Sequence, residues 1–470
     1  MKMPEYDLAI IGAGASGLIA VDFALQLGAR TALIDKGPIG GDCTWTGCVP
    51  SKSLIKAASV AHHICTAARF GIESSAPKVD MTGVRAYLRQ TIEQIYEPTR
   101  PENLEARGMD VLIGATSFVD ARTLRVGDRT IRARRFLINT GAEPKVPAVE
   151  GLSSVPYLTY QQIFDNDRIP EHLVILGGGA IGCEIAHAYH RLGARVTIVA
   201  EHLLSHEDDE VSALMERIFA KDGVMRLARR ALSVSQTAGS IVVRTDGGEV
   251  TGDVLLVATG RAPLVRGLGL DAAGVRYSER GIEVDAYLRT SVRHTYAAGD
   301  VIGGPQYSHL AGWQGFQAVR NALLPGKNRG MCDSLSRITF TSPEVAQVGL
   351  TEREARKRYP AHKLQVMTFD IAKVDRAVNE DDRLGLLKIV ALRNGRVLGA
   401  VIVGERAGET ITELAVAIRN RLKLADLAST IHPYPTYSSG VQFLATKMAM
   451  EQAFAGTSGK LIRGLSALWR

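Results

Sequence analysis

The chain has 470 residues, and 56 Lys and Arg against 49 Asp and Glu leave a net charge of +7. A composition of 46% hydrophobic and 22% charged residues excludes extensive disorder, and 47 glycines without a strict period exclude a collagen-like repeat. Five cysteines in a chain this long exclude a disulfide-stapled secreted scaffold, and at about 100–200 residues per domain the length predicts several domains with sizeable cores.

The first apolar stretch, Leu8 to Val21, is bounded by Asp7 and Asp22 and is too short to cross a bilayer. Glu5 and Asp7 spoil the basic start of a cleaved signal, so the expectation is a cytoplasmic protein without an integral membrane segment. The strand-like run Leu8-Ala9-Ile10-Ile11 leads into Gly12-x-Gly14-x-x-Gly17, with Ala15 and Ser16 inside the turn. A helix-like stretch follows to Leu27, Gly28 stops it, and Thr31-Ala32-Leu33-Ile34 forms a second strand ending at Asp35 and Lys36. Glycines are needed where the turn is tight and where amides must approach a pyrophosphate. The helix N-terminus then supplies donors and a partial positive charge, and the acid accepts from ribose hydroxyls.

The next segment, Cys43-Thr-Trp-Thr-Gly-Cys48-Val-Pro-Ser-Lys52, places Cys48 just before a predicted helix over Ser51–Ala58, with Pro50 suited to its first turn. A thiolate there is stabilised by the helix dipole and by a nearby lysine, so the pair reads as redox-active, with a structural disulfide as the weaker alternative. Neither a second Cys pair nor a matching His spacing accompanies it, which argues against a metal site, and Cys65, Cys183 and Cys332 read as isolated side chains. Arg132, Arg134 and Arg135 form the densest basic cluster, but the charges are dispersed overall, so nucleic acid is not an expected partner.

The opening plan then repeats. Leu173-Val174-Ile175-Leu176 precedes Gly177-x-Gly179-x-x-Gly182, a helix runs to Leu192, Gly193 stops it, and Val196-Thr197-Ile198-Val199 precedes Glu201. Phe136 to Gly141 with Pro144, and Leu255 to Gly260 with Pro263, are two further matched segments ending in Thr-Gly-x-x-Pro, and Thr140, Gly141 and Gly260 join the expected cofactor-binding residues. Two strand–glycine turn–helix–strand units predict two dinucleotides held so that electrons pass between them. Glu201 repels a 2′-phosphate and favours NADH, with NADPH the alternative; His202 beside it and Arg261 after Gly260 of the same dinucleotide site would weaken that preference. From about Arg337 the pattern turns α+β, with strands at Leu386–Val390 and Val397–Val403 and a helix at Ile411–Leu422. The tail Lys460–Arg470 reads as a short amphipathic helix that packs against the body in preference to a membrane.

The run Gly40-Gly41-Asp42-Cys43-Thr44-Trp45-Thr46-Gly47-Cys48-Val49-Pro50-Ser51-Lys52 resembles the active-site segment of the flavoprotein disulfide reductases, the family of dihydrolipoamide dehydrogenase, glutathione reductase and mercuric reductase. Tyr296-Ala297-Ala298-Gly299-Asp300 and the segment from Thr341-Ser342-Pro343-Glu344 to Glu352 extend the likeness over nearly the whole chain. The resemblance implies an α/β fold of two Rossmann-like dinucleotide-binding domains plus a C-terminal α+β dimerisation domain. The implied division is 1–150 for FAD, 151–265 for NAD(P), 266–336 returning to the FAD and central part, and 337–470 for the interface. Gly12, Gly14, Gly17 and Asp35 would hold the adenosine half of FAD, Asp300 the ribityl chain, and Gly41, Asp42 and Lys52 would also lie on the cofactor. Cys48 would be the charge-transfer thiolate, Cys43 the exchanging thiol, and Lys52 with Glu184 an ion pair beside the flavin. A homodimer would complete each active site from its partner.

The sequence departs from the thiol-handling members at their His-Pro-Thr-x-x-Glu segment. Here Tyr434 stands at the base and Ser439 at the glutamate, and a phenol with a pKa of about 10 is a poor proton acceptor. His432 is the substitute base, two residues earlier and with no glutamate in the segment behind it. Tyrosine at this place is similar to mercuric reductase, although the C-terminal Cys-Cys pair and the N-terminal metal-binding domain of that enzyme are missing. The implied function is transfer of electrons from NAD(P)H through FAD and Cys43–Cys48 to a metal ion or small electrophile. A dihydrolipoamide-dehydrogenase-like disulfide chemistry, a quinone-reducing diaphorase and a non-enzymatic flavin-bound sensor are the alternatives.

Overall fold

The computed structural model describes residues 5–470 apart from 238, 333 and the side chain at 458. The chain divides into two compact units, Met1–Gly177 with Ala188–Val196 and Arg230–Cys332, and Gly178–His187 with Thr197–Arg229 and Asp333–Arg470. No helix among the described residues is long and apolar enough to cross a membrane.

The first unit is built on strand β1 (Tyr6–Ile11), helix α1 (Ala15–Gln26) and strand β2 (Thr31–Asp35). Strands β1 and β2 pair in parallel, and β1 pairs on its other side with Arg129–Ile138. Asp110–Ile113 extends the sheet beyond β2, and Thr295–Ala297 joins Arg129–Ile138, both in parallel. Residues 8–11 are buried without alternation because helices cover parallel sheets on both faces. Arg134 of the basic cluster pairs with Asp7 at 3.5 Å.

The repeat seen in the sequence is a repeat of atomic contacts. Gly12 has φ +109°, and a Cβ there would lie 2.4 Å from the Asn139 carbonyl oxygen; Gly177 has φ +118°, and its Cβ would lie 2.4 Å from that of Ala258. Asn139 N–H donates to Ile11 (2.9 Å) and Ala258 N–H to Leu176 (2.8 Å), so each glycine is pressed against the strand beside it. His172–Leu176 pairs in parallel with Val254–Val257. The two Thr-Gly-x-x-Pro segments pair with each other, Ala142–Pro144 running antiparallel to Arg261–Pro263.

The second unit holds a five-stranded antiparallel sheet in the order Ser336–Thr339, Glu344–Gly349, Val397–Gly404, Leu386–Leu392, Leu364–Asp370. Its core joins Ile389 and Ile402 to Ile411 and Leu414 of the helix Ala407–Arg419 and to Val441 and Leu444 of the helix Ser439–Phe454. The first of these helices ends three residues before the predicted Leu422, because Arg421 takes φ +56° and Leu422 N–H turns back to Ala417. The tail forms a helix over Gly456–Trp469, as the periodicity predicts, but residues 460–470 are exposed throughout, so the expected packing against the body is not found within this unit.

Lys388 is the most deeply buried cation of this unit, with its side chain 2% exposed. Its ammonium lies 2.7 Å from Asp208, 2.5 Å from Glu210 and 3.1 Å from Glu352, which hold its pKa up against the opposing effect of burial. Burial would raise both carboxyl pKa values, but Lys388 and the backbone N–H groups of Glu352 and Arg353 lower that of Asp208 on balance, and Arg356 with Lys388 lowers that of Glu352. Lys388→Met is therefore expected to lower unfolding free energy by about 3–5 kcal/mol in denaturant titrations, since it strands buried carboxylates. The lowered carboxylate values mean that their share of the stabilisation is lost as pH falls below about 4. The raised lysine value means that its share is lost as pH rises above about 10.

Candidate active site

The chemistry gathers where β2 gives way to the cysteine segment. Asp35 at the end of β2 is fixed from both sides, Oδ2 accepting from Ala13 N–H (2.6 Å) and Oδ1 from Gly37 N–H (3.0 Å), while Lys36 beside it is exposed. Helix α2 (Gly41–Trp45) begins at Gly41, whose φ of +59° and whose approach to Gly14 leave no room for a side chain: a Cβ would sit 2.9 Å from Gly14 Cα. The Trp45 indole N–H donates to Ile39 (2.8 Å), tying this turn together. Helix α3 (Cys48–Thr66) starts at Cys48 with Pro50 in its first turn and Lys52 one turn further along. The predicted helix is present and ends eight residues later than the predicted Ala58.

Cys43 is half-buried and Cys48 exposed, and both are free thiols. A hydrogen bond with Cys48, and then burial, push the Cys43 thiol well above the ordinary thiol range. The last proton of the dithiol therefore stays on Cys43, and the negative charge falls on Cys48, which is placed at a helix N-terminus. Ser308, the first residue of the helix Ser308–Leu323, brings its hydroxyl to 3.3 Å from Cys48 Sγ. Ser308 carries no local signal in the sequence, although it opens a helix eight residues after Asp300.

Beside the cysteines lies a buried charge cluster. The Arg261 guanidinium donates through Nη1 to Asp300 (2.6 Å) and through Nη2 to Asp42 (2.8 Å), and Tyr160 donates its hydroxyl to Asp42 (2.8 Å). Burial raises the Asp300 pKa, with Arg261 opposing, and burial likewise raises the Tyr160 phenol. The guanidinium and the two carboxylates would each be costly here alone; together they hold Asp42 immediately before Cys43. This corrects the expectation that Arg261 acts near the nicotinamide dinucleotide's 2′-position, because its guanidinium is taken up by Asp300 and Asp42. Thr140 next to this pairing donates to Leu264 (2.8 Å), and Gly141 and Gly260 both have positive φ.

Of the second glycine loop, Gly177 belongs to the first unit and Gly179, Gly182, Glu184 and Glu201 to the second. Glu184 is buried, and its Oε1 accepts from Phe340 N–H (2.9 Å). Lys52 lies in the first unit. Arg226 donates to the backbone carbonyl of Glu201 (2.5 Å) and pairs with Glu216 (3.0 Å), so this arginine beside Glu201 is committed to groups of its own unit. His202 takes part through its backbone, its carbonyl packing against Gly178.

The segment around Tyr434 is arranged in a way the sequence does not reveal. Tyr434 is exposed and donates its hydroxyl to Asp375 Oδ2 (2.6 Å), and that hydrogen bond raises its pKa. His432 does have a glutamate behind it, supplied by Glu413, whose Oε1 lies 2.7 Å from Nε2, while Nδ1 lies 2.9 Å from the Thr430 carbonyl. With both nitrogens turned to acceptors and its side chain 5% exposed, His432 offers no open lone pair. Glu413 and Asp375 carry no local signal, since each comes from a separate helix, Ala407–Arg419 and Asp375–Asn379.

Residues 6–315 match the family described as pyridine nucleotide-disulphide oxidoreductase, and residues 335–445 match its dimerisation domain, which supports assembly as a homodimer. A mercuric reductase of Streptomyces lividans is 36% identical over 462 residues, covering 95% of this chain and 97% of that protein. A dihydrolipoyl dehydrogenase of Thermus scotoductus is 34% identical over 457 residues, covering 93% and 96%. Among solved structures, the HOCl-induced flavoprotein disulfide reductase RclA of Escherichia coli superposes with a TM-score of 0.84 at 27% identity, covering 94% of this chain and 99% of that one. LpdA of Mycobacterium tuberculosis gives a TM-score of 0.86 at 29% identity, with the same coverage. With two glycine loops built alike, a cysteine pair at a helix start and these matches along the sequence, the chain belongs to the pyridine nucleotide-disulphide oxidoreductases, enzymes that use FAD and NAD(P)H.

Proposed function

We propose that this enzyme passes electrons from NADH to a soft metal ion through FAD and the Cys43–Cys48 pair. The residues fit the two dinucleotides. The middle glycine of each loop faces open space, Gly14 with nothing nearer to its Cβ position than Gly41 Cα at 3.9 Å and Gly179 with nothing within 4 Å. Gly12, Gly14, Ala15, Ser16, Gly17, Asp35 and Asp300 would hold FAD, with Thr140 and Gly141 along its edge; Gly177, Gly179, Gly182 and Glu201 would hold the nicotinamide dinucleotide. Bound FAD supplies the two-electron carrier between nicotinamide and disulfide. Lys52 and Glu184 are proposed as its polar neighbours.

The observation that carries the choice of acceptor is the engagement of both candidate bases. Reduction of an organic disulfide requires a proton for the leaving thiolate, yet His432 has both nitrogens on acceptors and the Tyr434 proton is already directed to Asp375. A soft divalent ion bound by the two thiolates needs no such proton. One Hg(II) takes two electrons from the sulfurs, or two Cu(II) take one each, the Cys43–Cys48 bond forms, and the Cys43 proton is released. The names of the relatives support this reading: several are mercuric reductases, and one related structure is described as a Cu(II) complex of RclA. In a homodimer, Tyr434 would face the partner's cysteines.

Cys43→Ser is expected to abolish NADH-dependent reduction of Hg(II) or Cu(II) while anaerobic NADH still bleaches the flavin; metal turnover at the unsubstituted rate would sink the mechanism and point to direct flavin-to-quinone transfer. Ser308→Ala removes a donor from the Cys48 thiolate and so raises its pKa. The long-wavelength thiolate-to-flavin absorbance, present at high pH, should then disappear about 1–2 pH units earlier on acidification, with Ser308→Thr restoring it. Glu201→Gln should narrow the NADH-over-NADPH ratio of kcat/KM by about tenfold, the equivalent of about 1.4 kcal/mol.

A further inference from the structure

Several of the most exposed large apolar side chains among the described residues lie together on the last helix. Within Gly456–Trp469, Leu461 is 66% exposed, Leu465 59%, Leu468 85% and Trp469 94%. At about 100° per residue these four fall on one stripe, with Ile462 at its edge. Lys460 and Arg463 fall on the opposite side, Arg470 follows at the end, and no Asp or Glu occurs after Glu451. A contiguous apolar stripe left in water marks an interaction surface.

We propose that this helix is an interfacial anchor that lies along an anionic lipid surface. Charge decides the occupant. The helix carries two cations and no acid, with Arg470 directly after it, the pattern that anionic headgroups attract, and Trp469 has the amphipathic ring that settles at the headgroup level. At 14 residues the helix is about 21 Å long, suited to lying in the interface and too short to span it. A second copy of the chain is the poorer occupant. The helix lies wholly beyond residue 445, where the match to the dimerisation domain ends. The anchor is independent of the acceptor proposed for the cysteines.

The test is co-sedimentation of the full-length holoenzyme with extruded vesicles. Pelleting is expected with phosphatidylcholine containing about one-third phosphatidylglycerol at low salt, and not with phosphatidylcholine alone. Binding should weaken as salt rises, and each of Lys460→Gln and Arg463→Gln should weaken it about fivefold. The double substitution Leu465→Glu/Trp469→Glu should abolish pelleting while flavin absorbance and gel-filtration size stay unchanged. Failure to pellet with the anionic vesicles would overturn the proposal, as would pelleting that survives the double substitution. Conversion of dimer to monomer by that substitution would overturn it too, by assigning the stripe to a second copy.

Discussion

A three-residue pairing, Ala142–Pro144 against Arg261–Pro263, sets the geometry around the cysteines. It joins the ends of two strands that lie beside two different glycine loops, and it delivers Arg261 to Asp300 and Asp42. Burial raises the Asp300 pKa, and that guanidinium opposes the rise. Asp42 is covalently next to Cys43, so the position of the exchanging thiol depends on an ion pair made more than two hundred residues away in sequence. Tyr160 closes the cluster by donating to the same Asp42 oxygen.

The two thiols are chemically distinct because their surroundings are. Cys48 begins a helix and meets the Ser308 hydroxyl at the start of another, so two helix N-termini favour its charged form. Cys43 is more buried and hydrogen-bonds to Cys48, which keeps its proton in place. The chemical difference between the two thiols thus follows from burial and capping.

The glycine loops, the cysteine helix and the repeat were legible because each is local: the spacing of Gly12, Gly14 and Gly17 and the strand before them carry their own geometric reason. The predicted strands of the C-terminal region were legible for the same cause, as their apolar runs needed no distant information. What stayed hidden was tertiary. Ser308 meets Cys48 from 260 positions away, and the Arg261–Asp42 bond spans 219. Glu413 reaches His432 from another helix, so a residue that looked like a base without support turned out to be one with both nitrogens occupied. The tail's periodicity was visible; that nothing in its own unit covers the apolar side was not.

The contact between Gly14 and Gly41 has a consequence for how this chain can change. The turn that would cradle a pyrophosphate and the turn that launches the redox cysteines touch backbone to backbone, with 2.9 Å between Gly14 Cα and the place where a side chain on Gly41 would start. The contact is one-sided: a side chain on Gly41 would force the first loop to retreat, whereas one on Gly14 would not. The cysteine segment can therefore vary only in ways that keep Gly41 bare, a limit set by the backbone of the neighbouring turn.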